Sequence, residues 1–341
     1  MPATRRLTTT RWGKGTVASQ GLRYHQDTNA QQDAARDQGA AFGTCYGYRV
    51  DSSFPFRYLR GGDGTPLLVE QTCDVDGEPE QSPLFEWTPR PGRPFHARLY
   101  RWGDAYRFWV NDMGWFHIDP AKPSIAMPKS GDPLLLEERL WGIPAALCLL
   151  GRGDLPVHAA AVDVGGAAVL LAAPGRFGKT TLVSAFMEAG HAVLAEDLTC
   201  CRVQDRPVVV PGPAMLRVRK DSYRRLQIKR AAVVGEDDER YHLAIDPALR
   251  GDSAPLPIRC VLFLHWGPEG DAVRLQPIAA EEAVRRLWSV AFHFPVDEVR
   301  AQCFEQIAGL AAEVELFHLH RPKDYARLGS TVEQVVAACH R

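Results

Sequence analysis

Residues 170–182, LLAAPGRFGKTTL, constrain what this chain can fold into more than any other stretch. An apolar run that reads as a strand meets glycines at 175 and 178, then a lysine and two threonines. The segment from Lys179 to Ala189 suits a helix closed by Gly190. A strand, a glycine-bearing loop and a helix in that order gather backbone N–H groups and a helix start around a small concavity, which is how a chain holds an anion. The common pattern G-x-x-x-x-G-K-[ST] is met only in part, because Ala173 stands where its first glycine belongs. Glycine is required only where φ is positive or where a Cβ would strike the ligand, so an alanine at the strand end is expected to be tolerated. Lys179 is then placed to reach terminal phosphates and Thr180 to offer its hydroxyl to Mg²⁺, while Pro174, Gly175, Arg176, Phe177, Gly178 and Thr181 complete the loop. Taken alone, the stretch reads equally well as a plain strand-to-helix turn with a lysine at its mouth.

Its neighbours narrow the choice. Seventeen positions beyond Lys179, at the end of the apolar strand HAVLA, stand Glu196 and Asp197. After a phosphate loop, one carboxylate can hold the metal and the other can take a proton from an acceptor hydroxyl. Upstream, PVHAAAVDV and AAVLLAA flank Gly165-Gly166 and read as a hairpin that ends at the loop. His158 lies on the first of those strands, where an imidazole can orient or stabilise a phosphoryl group or serve simply as a packed core residue. Charge growing on the moving oxygens calls for a guanidinium, and Arg217, Arg219 and Lys220 in MLRVRK are the candidates by order along the chain, with Arg217 preferred.

The run from Val157 to Val203, HAAAVDVGGAAVLLAAPGRFGKTTLVSAFMEAGHAVLAEDLTCCRV with its preceding valine, resembles the catalytic core of the HPr serine kinase family in the order and spacing of its parts. The resemblance implies an α/β (α+β) fold of the HPr-kinase and phosphoenolpyruvate-carboxykinase type, with a P-loop domain preceded by a mainly antiparallel β domain. It implies ATP- and Mg²⁺-dependent phosphorylation of a serine hydroxyl. Lys179 and Thr180 fall on the family's phosphate and metal positions, His158 on its histidine, and Glu196-Asp197 on its paired aspartates, which would make Thr180, Glu196 and Asp197 the metal-binding set. Ala173, Arg176, Phe177 and Glu196 depart from that pattern. Glutamate reaches one methylene further than aspartate, so weakened or altered activity is one expectation. The glycine-rich, asparagine-containing C-terminal signature of the bifunctional enzymes is missing, which favours kinase-only behaviour. The first half looks like the N-terminal sheet of HPr-kinase-related proteins of peptide-modification pathways, including those that phosphorylate a lasso-peptide precursor.

Three segments are expected. Residues 1–38 lack apolar periodicity and read as a flexible tail. Residues 39–152 carry short aromatic and β-branched runs between Gly, Pro and Asp turns, an antiparallel meander, and close on one bridging helix, DPLLLEERLWGIPAALCLLGRG. Residues 153–341 hold the loop and alternate further strands and helices. Lys plus Arg (40) nearly balance Asp plus Glu (41), so no overall field favours nucleic acid or an anionic membrane. The longest apolar run, Ile143–Leu150, is too short for a bilayer. A cytoplasmic setting is expected, and the eight cysteines, mostly within apolar runs, read as buried thiols. The aromatic strands can grip a peptide by edge pairing or can simply form a sheet core.

The first functional reading is therefore a serine kinase acting on a peptide or small protein. A small-molecule kinase or carboxykinase-like enzyme on the same scaffold, and a non-catalytic nucleotide- or peptide-binding protein, stay open beside it. So does a homo-oligomer.

Overall fold

The computed structural model describes residues 41–73, 77, 79–88, 95–267 and 272–339; the expected tail, 1–38, lies outside the described residues. The fold is mixed α/β, with three sheets among the described residues. The first sheet contains Ala41–Cys45 (β1), Tyr48–Ser52 (β2), Thr65–Thr72 (β3), Phe85–Trp87 (β4), Ala97–Trp102 (β5), Ala105–Val110 (β6), Gly114–Asp119 (β7) and Ser124–Pro128 (β8), in the order β1-β2-β3-β8-β7-β6-β5-β4. Strands β5 to β8 form the expected antiparallel meander. The β2–β3 and β3–β8 pairings are parallel, contrary to an antiparallel run throughout: the connection after β2 crosses back before β3 starts, and β4 to β7 intervene in the chain between β3 and β8.

The bridging segment is two helices, not one: Pro133–Leu140 (α1) and Ile143–Arg152 (α2). Asp132 caps the first through its side chain on Leu134 N. Pro144 sits in the first turn of the second, where its missing N–H costs nothing but where it disfavours a continuous helix through the preceding residues.

The second half continues with Leu155–Val157 (β9), Ala159–Val164 (β10), Ala167–Ala172 (β11), Lys179–Glu188 (α3), Val193–Ala195 (β12), Thr199–Arg202 (β13), Val208–Val210 (β14) and Met215–Arg219 (β15). After these come Lys220–Leu226 (α4), Ala231–Glu236 (β16), Arg240–Ile245 (β17), Leu256–Trp266 (β18), Arg274–Pro277 (β19), Ala280–Trp288 (α5), Asp297–Glu313 (α6), Glu315–Arg321 (β20) and Leu328–Cys339 (α7). The hairpin β10–β11 turns on Gly165-Gly166, both at positive φ, as a two-residue turn requires. Strand β11 pairs in parallel with β18, and β18 in parallel with β20. The loop after β11 and the ends of β18 and β20 therefore lie at one edge of the sheet, the usual place for a ligand in α/β folds. Strands β15, β17 and β16 form the small third sheet, in that order.

One core runs through both halves: Tyr48, Phe108 and Phe116 of the first sheet belong to the same buried cluster as Leu170, Leu194 and Val261. Arg60, only 3% exposed, straps the halves together. Its Nε donates to Gly212 O (2.6 Å), and its Nη2 to Val193 O (2.8 Å) and Leu194 O (3.1 Å). Those last two carbonyls belong to the strand that delivers Glu196. Arg60→Met is expected to remove a donor from three buried carbonyls, of which Leu194 O still accepts from Gly212 N, and to cost about 3–5 kcal/mol in denaturant unfolding. A loss below about 1 kcal/mol would contradict the strap.

Candidate functional site

Strand β11 ends at Ala172, and Ala173 continues into the second buried cluster, to which Val169, Leu182 and Phe186 also belong. It is not among the positive-φ residues, so the missing glycine costs the backbone nothing. Positive φ falls instead on Arg176 (73°) and Gly178 (79°). Arg176 accepts a conformation that non-glycine residues seldom take, and does so at the exposed loop tip. Helix α3 begins after Gly178 with no side-chain cap and no acidic residue in its first turn. Its first N–H groups and positive end are therefore left for something other than a protein carboxylate.

Lys179 is buried, 7% exposed. Its ammonium donates to Ala173 O (2.7 Å) and to His158 Nε2 (2.8 Å). An ammonium has no acceptor, so His158 Nε2 must accept, the imidazole is neutral, and its proton sits on Nδ1. Nδ1 in turn donates to Asp197 O (3.0 Å). Burial lowers the pKa of His158, outweighing the opposite pull of Asp197, and so agrees with the neutral tautomer. Burial likewise lowers Lys179. His158 stands at the break between β9, which pairs with β13, and β10, which pairs with β12. That change of partners turns its ring toward the site.

The two carboxylates are treated differently by their surroundings. Glu196 is 4% exposed; its Oε1 accepts from Thr180 Oγ1 (2.6 Å), and its Oε2 has no hydrogen bond among the described residues. Burial, then the charge of Asp197, raises its pKa, since a carboxylate in this position lacks enough positive charge of its own. Asp197 is more open, its side chain 44% exposed, and adopts φ of 92°. Arg217 Nη2 donates to its Oδ2 (2.9 Å). Burial pushes the Asp197 pKa up, but Arg217, His158 and Lys179 together push it further down. Glu196 and Asp197 titrate as a pair whose members are driven apart. Arg217 Nε also lies 3.8 Å from Glu196 Oε2, and the two acids hold its pKa above the ordinary range despite burial.

Behind Arg217, its register partner His242 is 2% exposed and bridges Glu138 of α1 (Nδ1 to Oε1, 2.5 Å) and Asp237 (Nε2 to Oδ2, 3.2 Å). Burial opposes charging this ring, yet Asp237 and Glu138 outweigh it and raise its pKa to about 9. A folded pKa above the unfolded value near 6.5 gives stability that is complete below about pH 6.5 and lost as pH rises through about 9. Urea midpoints are expected to fall over that window by the equivalent of at most about 3 kcal/mol, and this slope is expected to vanish in His242→Gln. A wild-type slope that persists in the variant would contradict the bridge.

A cavity of about 400 Å³ joins these groups. Of the residues singled out in the sequence, His158, Pro174, Gly175, Arg176, Gly178, Lys179, Thr180, Thr181, Glu196, Asp197 and Arg217 all line it. Phe177 does not; its ring stacks on Trp266 at 6.4 Å. The structure adds Arg240, Trp266, Arg321, Lys323 and Tyr325 to the lining. The cavity wall carries seven Lys and Arg side chains against four Asp and Glu, an excess suited to a polyanion. The sequence signal for Trp266 and Arg321 was only that each ends an apolar run. That the first run pairs with the loop strand and the second with the first follows from sheet order, which no local pattern states.

No family model matches the sequence, and no curated protein matches it. Solved structures do match, among them the Hpr(Ser) kinase/phosphatase from Coxiella burnetii, at 10% identity and a TM-score of 0.30, covering 54% of this chain and 95% of that one. Similarity at that level says nothing of what this chain binds, and its chemistry rests on its own residues. No helix among the described residues is long and apolar enough to cross a membrane.

Proposed function

We propose that this chain is a phosphotransferase of the HPr serine kinase type, which takes ATP with Mg²⁺ and passes the γ-phosphoryl group to a serine hydroxyl of a peptide or small protein. The observation that carries the reading is the meeting, in one cavity at an uncapped helix start, of a buried lysine, a Thr180–Glu196 pair and a second, open carboxylate. The buried Glu196 Oε2, which has no hydrogen bond among the described residues and only Arg217 Nε at 3.8 Å, and the raised Glu196 pKa fit a cation bound beside Thr180, because a divalent ion supplies further positive charge to this carboxylate. When bound, Mg²⁺ neutralises phosphate charge; Thr180 and Glu196, with Asp197 adjacent, are the residues to hold it.

The chain's own groups divide the remaining work. Loop amides and Lys179 hold the terminal phosphates, with His158 Nε2 and Ala173 O fixing the ammonium. Asp197 is the more exposed carboxylate and receives the acceptor's proton. Arg217 keeps Asp197 ionised and brings a guanidinium to the place where charge develops. The serine acceptor rests on the resemblance of residues 157–203 and not on any contact. A non-catalytic nucleotide-binding protein is the second reading, favoured by the ion pair that ties up Asp197.

Mass spectrometry of candidate serine peptides and of a metabolite panel, incubated with the chain, ATP and Mg²⁺, tests the assignment. Gain of a phosphate on peptide serine is the expected result. Transfer to a small molecule alone would replace the acceptor class, and binding without transfer to any acceptor would favour the second reading.

A further inference from the structure

Arg321, the last residue of β20, is 2% exposed and lines the cavity, yet no carboxylate pairs with it among the described residues. A buried guanidinium without a counter-ion is costly, and a chain retains one where its donors or charge are used. Its Nη2 donates to Phe177 O (3.1 Å) and Gly178 O (3.2 Å), the two carbonyls that close the loop, while its Nε makes no hydrogen bond among the described residues. The guanidinium lies on the Trp266 ring, 4.3 Å from its centroid, and Phe177 stacks on the same indole.

Peptide planarity turns these two bonds into a constraint on the amides. In a trans peptide the C=O of one residue and the N–H of the next point in opposite directions. Arg321, by holding Phe177 O and Gly178 O, turns the N–H groups of Gly178 and Lys179 away from itself. Gly178 O also accepts from Leu182 N, so the Lys179 N–H points out of the helix start. Gly178 is adapted to the same contact from the other side: a Cβ there would lie 2.5 Å from Arg321 Nη2 and 3.1 Å from Trp266. The glycine of the Gly-Lys-Thr run thus leaves room for the arginine, besides taking positive φ.

We propose that Arg321 is a positioning residue that clamps the loop from outside, fixing the direction of its anion-facing amides and placing an uncompensated positive charge at the cavity wall. This rests on the nucleotide reading above for its ligand, but the clamp itself is a statement about the loop. Hydrogen–deuterium exchange on the whole chain without nucleotide, and calorimetry with Mg²⁺ and the non-hydrolysable analogue AMP-PNP, test it on wild type, Arg321→Gln and Arg321→Lys.

Arg321→Gln is expected to speed exchange about 30-fold at Phe177 and Leu182, whose N–H groups are bonded to Pro174 O and Gly178 O, to leave the centre of α3 unchanged, and to weaken AMP-PNP by about 30-fold, the scale of a lost charge-assisted pair of hydrogen bonds. Lysine, which can still donate to both carbonyls, is expected to recover most of both effects. Exchange and affinity within about twofold of wild type in Arg321→Gln would overturn the clamp, as would faster exchange spread over the whole chain, the sign of a merely structural role. If wild type binds no AMP-PNP, the nucleotide reading falls, while the loop exchange still decides the clamp.

Discussion

Lys179→Met lowers phosphoryl transfer by about 10²–10³-fold while the chain stays folded; that is the result expected from the placement of this ammonium. Methionine keeps most of the volume and packs where the lysine stem packs, so the change removes charge more than shape. The ammonium is preorganised by Ala173 O and His158 Nε2, and pays no reorganisation cost when an anion arrives. Its loss also removes the donor to His158 Nε2 and a positive charge from the loop, so nucleotide affinity falls together with turnover. Transfer followed by mass spectrometry, beside a thermal melt within a few degrees of wild type, checks the expectation. A turn with an incidental lysine would show unchanged transfer or a gross loss of fold.

Asp197→Asn is the second large effect, an expected loss of about 10²–10⁴-fold in transfer with AMP-PNP affinity little altered. The amide keeps the shape and can still accept from Arg217, but it cannot take a proton from a hydroxyl. Arg217 retains Glu196 at 3.8 Å as a counter-charge, so the substitution does not strand a buried cation. Because Arg217, His158 and Lys179 outweigh burial and hold the Asp197 carboxyl low, the acid limb of the wild-type rate is expected to lie below that of an ordinary aspartate. The pH–rate profile of wild type, measured beside that of Asp197→Asn, reads this directly. Equal turnover in the two proteins would remove Asp197 from the proton transfer.

The parts of the site that were legible from sequence are those built by local chain. The Gly165-Gly166 hairpin, the loop and helix α3 follow from turn chemistry and periodicity within about thirty residues of each other, and they carry Lys179 and Thr180 to their places. Glu196 and Asp197 were readable because a short strand ends just before them. The break between α1 and α2 had a signal, Pro144, but eight of the ten residues from Ile143 to Arg152 are apolar or small enough to mask it.

The third sheet had a weaker signal. Strand β16 is the outer strand of its sheet, with Ala232 and Val233 exposed, and the pairing of β17 with β15 on one side and β16 on the other is set by tertiary packing. Arg321 and Trp266 were illegible for a different reason. Each lies more than eighty residues from the loop, and only the parallel order β11-β18-β20 brings them over it. Arg217 was chosen by chain order and does face the acids, yet it arrives there paired with Asp197, a partnership that no spacing in the sequence encodes.

The expectations for Lys179 and Asp197 depend on the loop holding a triphosphate. Calorimetry of the 341-residue chain with Mg²⁺ and AMP-PNP, run beside Lys179→Met, tests that most directly. One saturable site is expected in wild type, lost or strongly weakened in the variant. Absence of binding at millimolar analogue, or equal binding by both proteins, would contradict it.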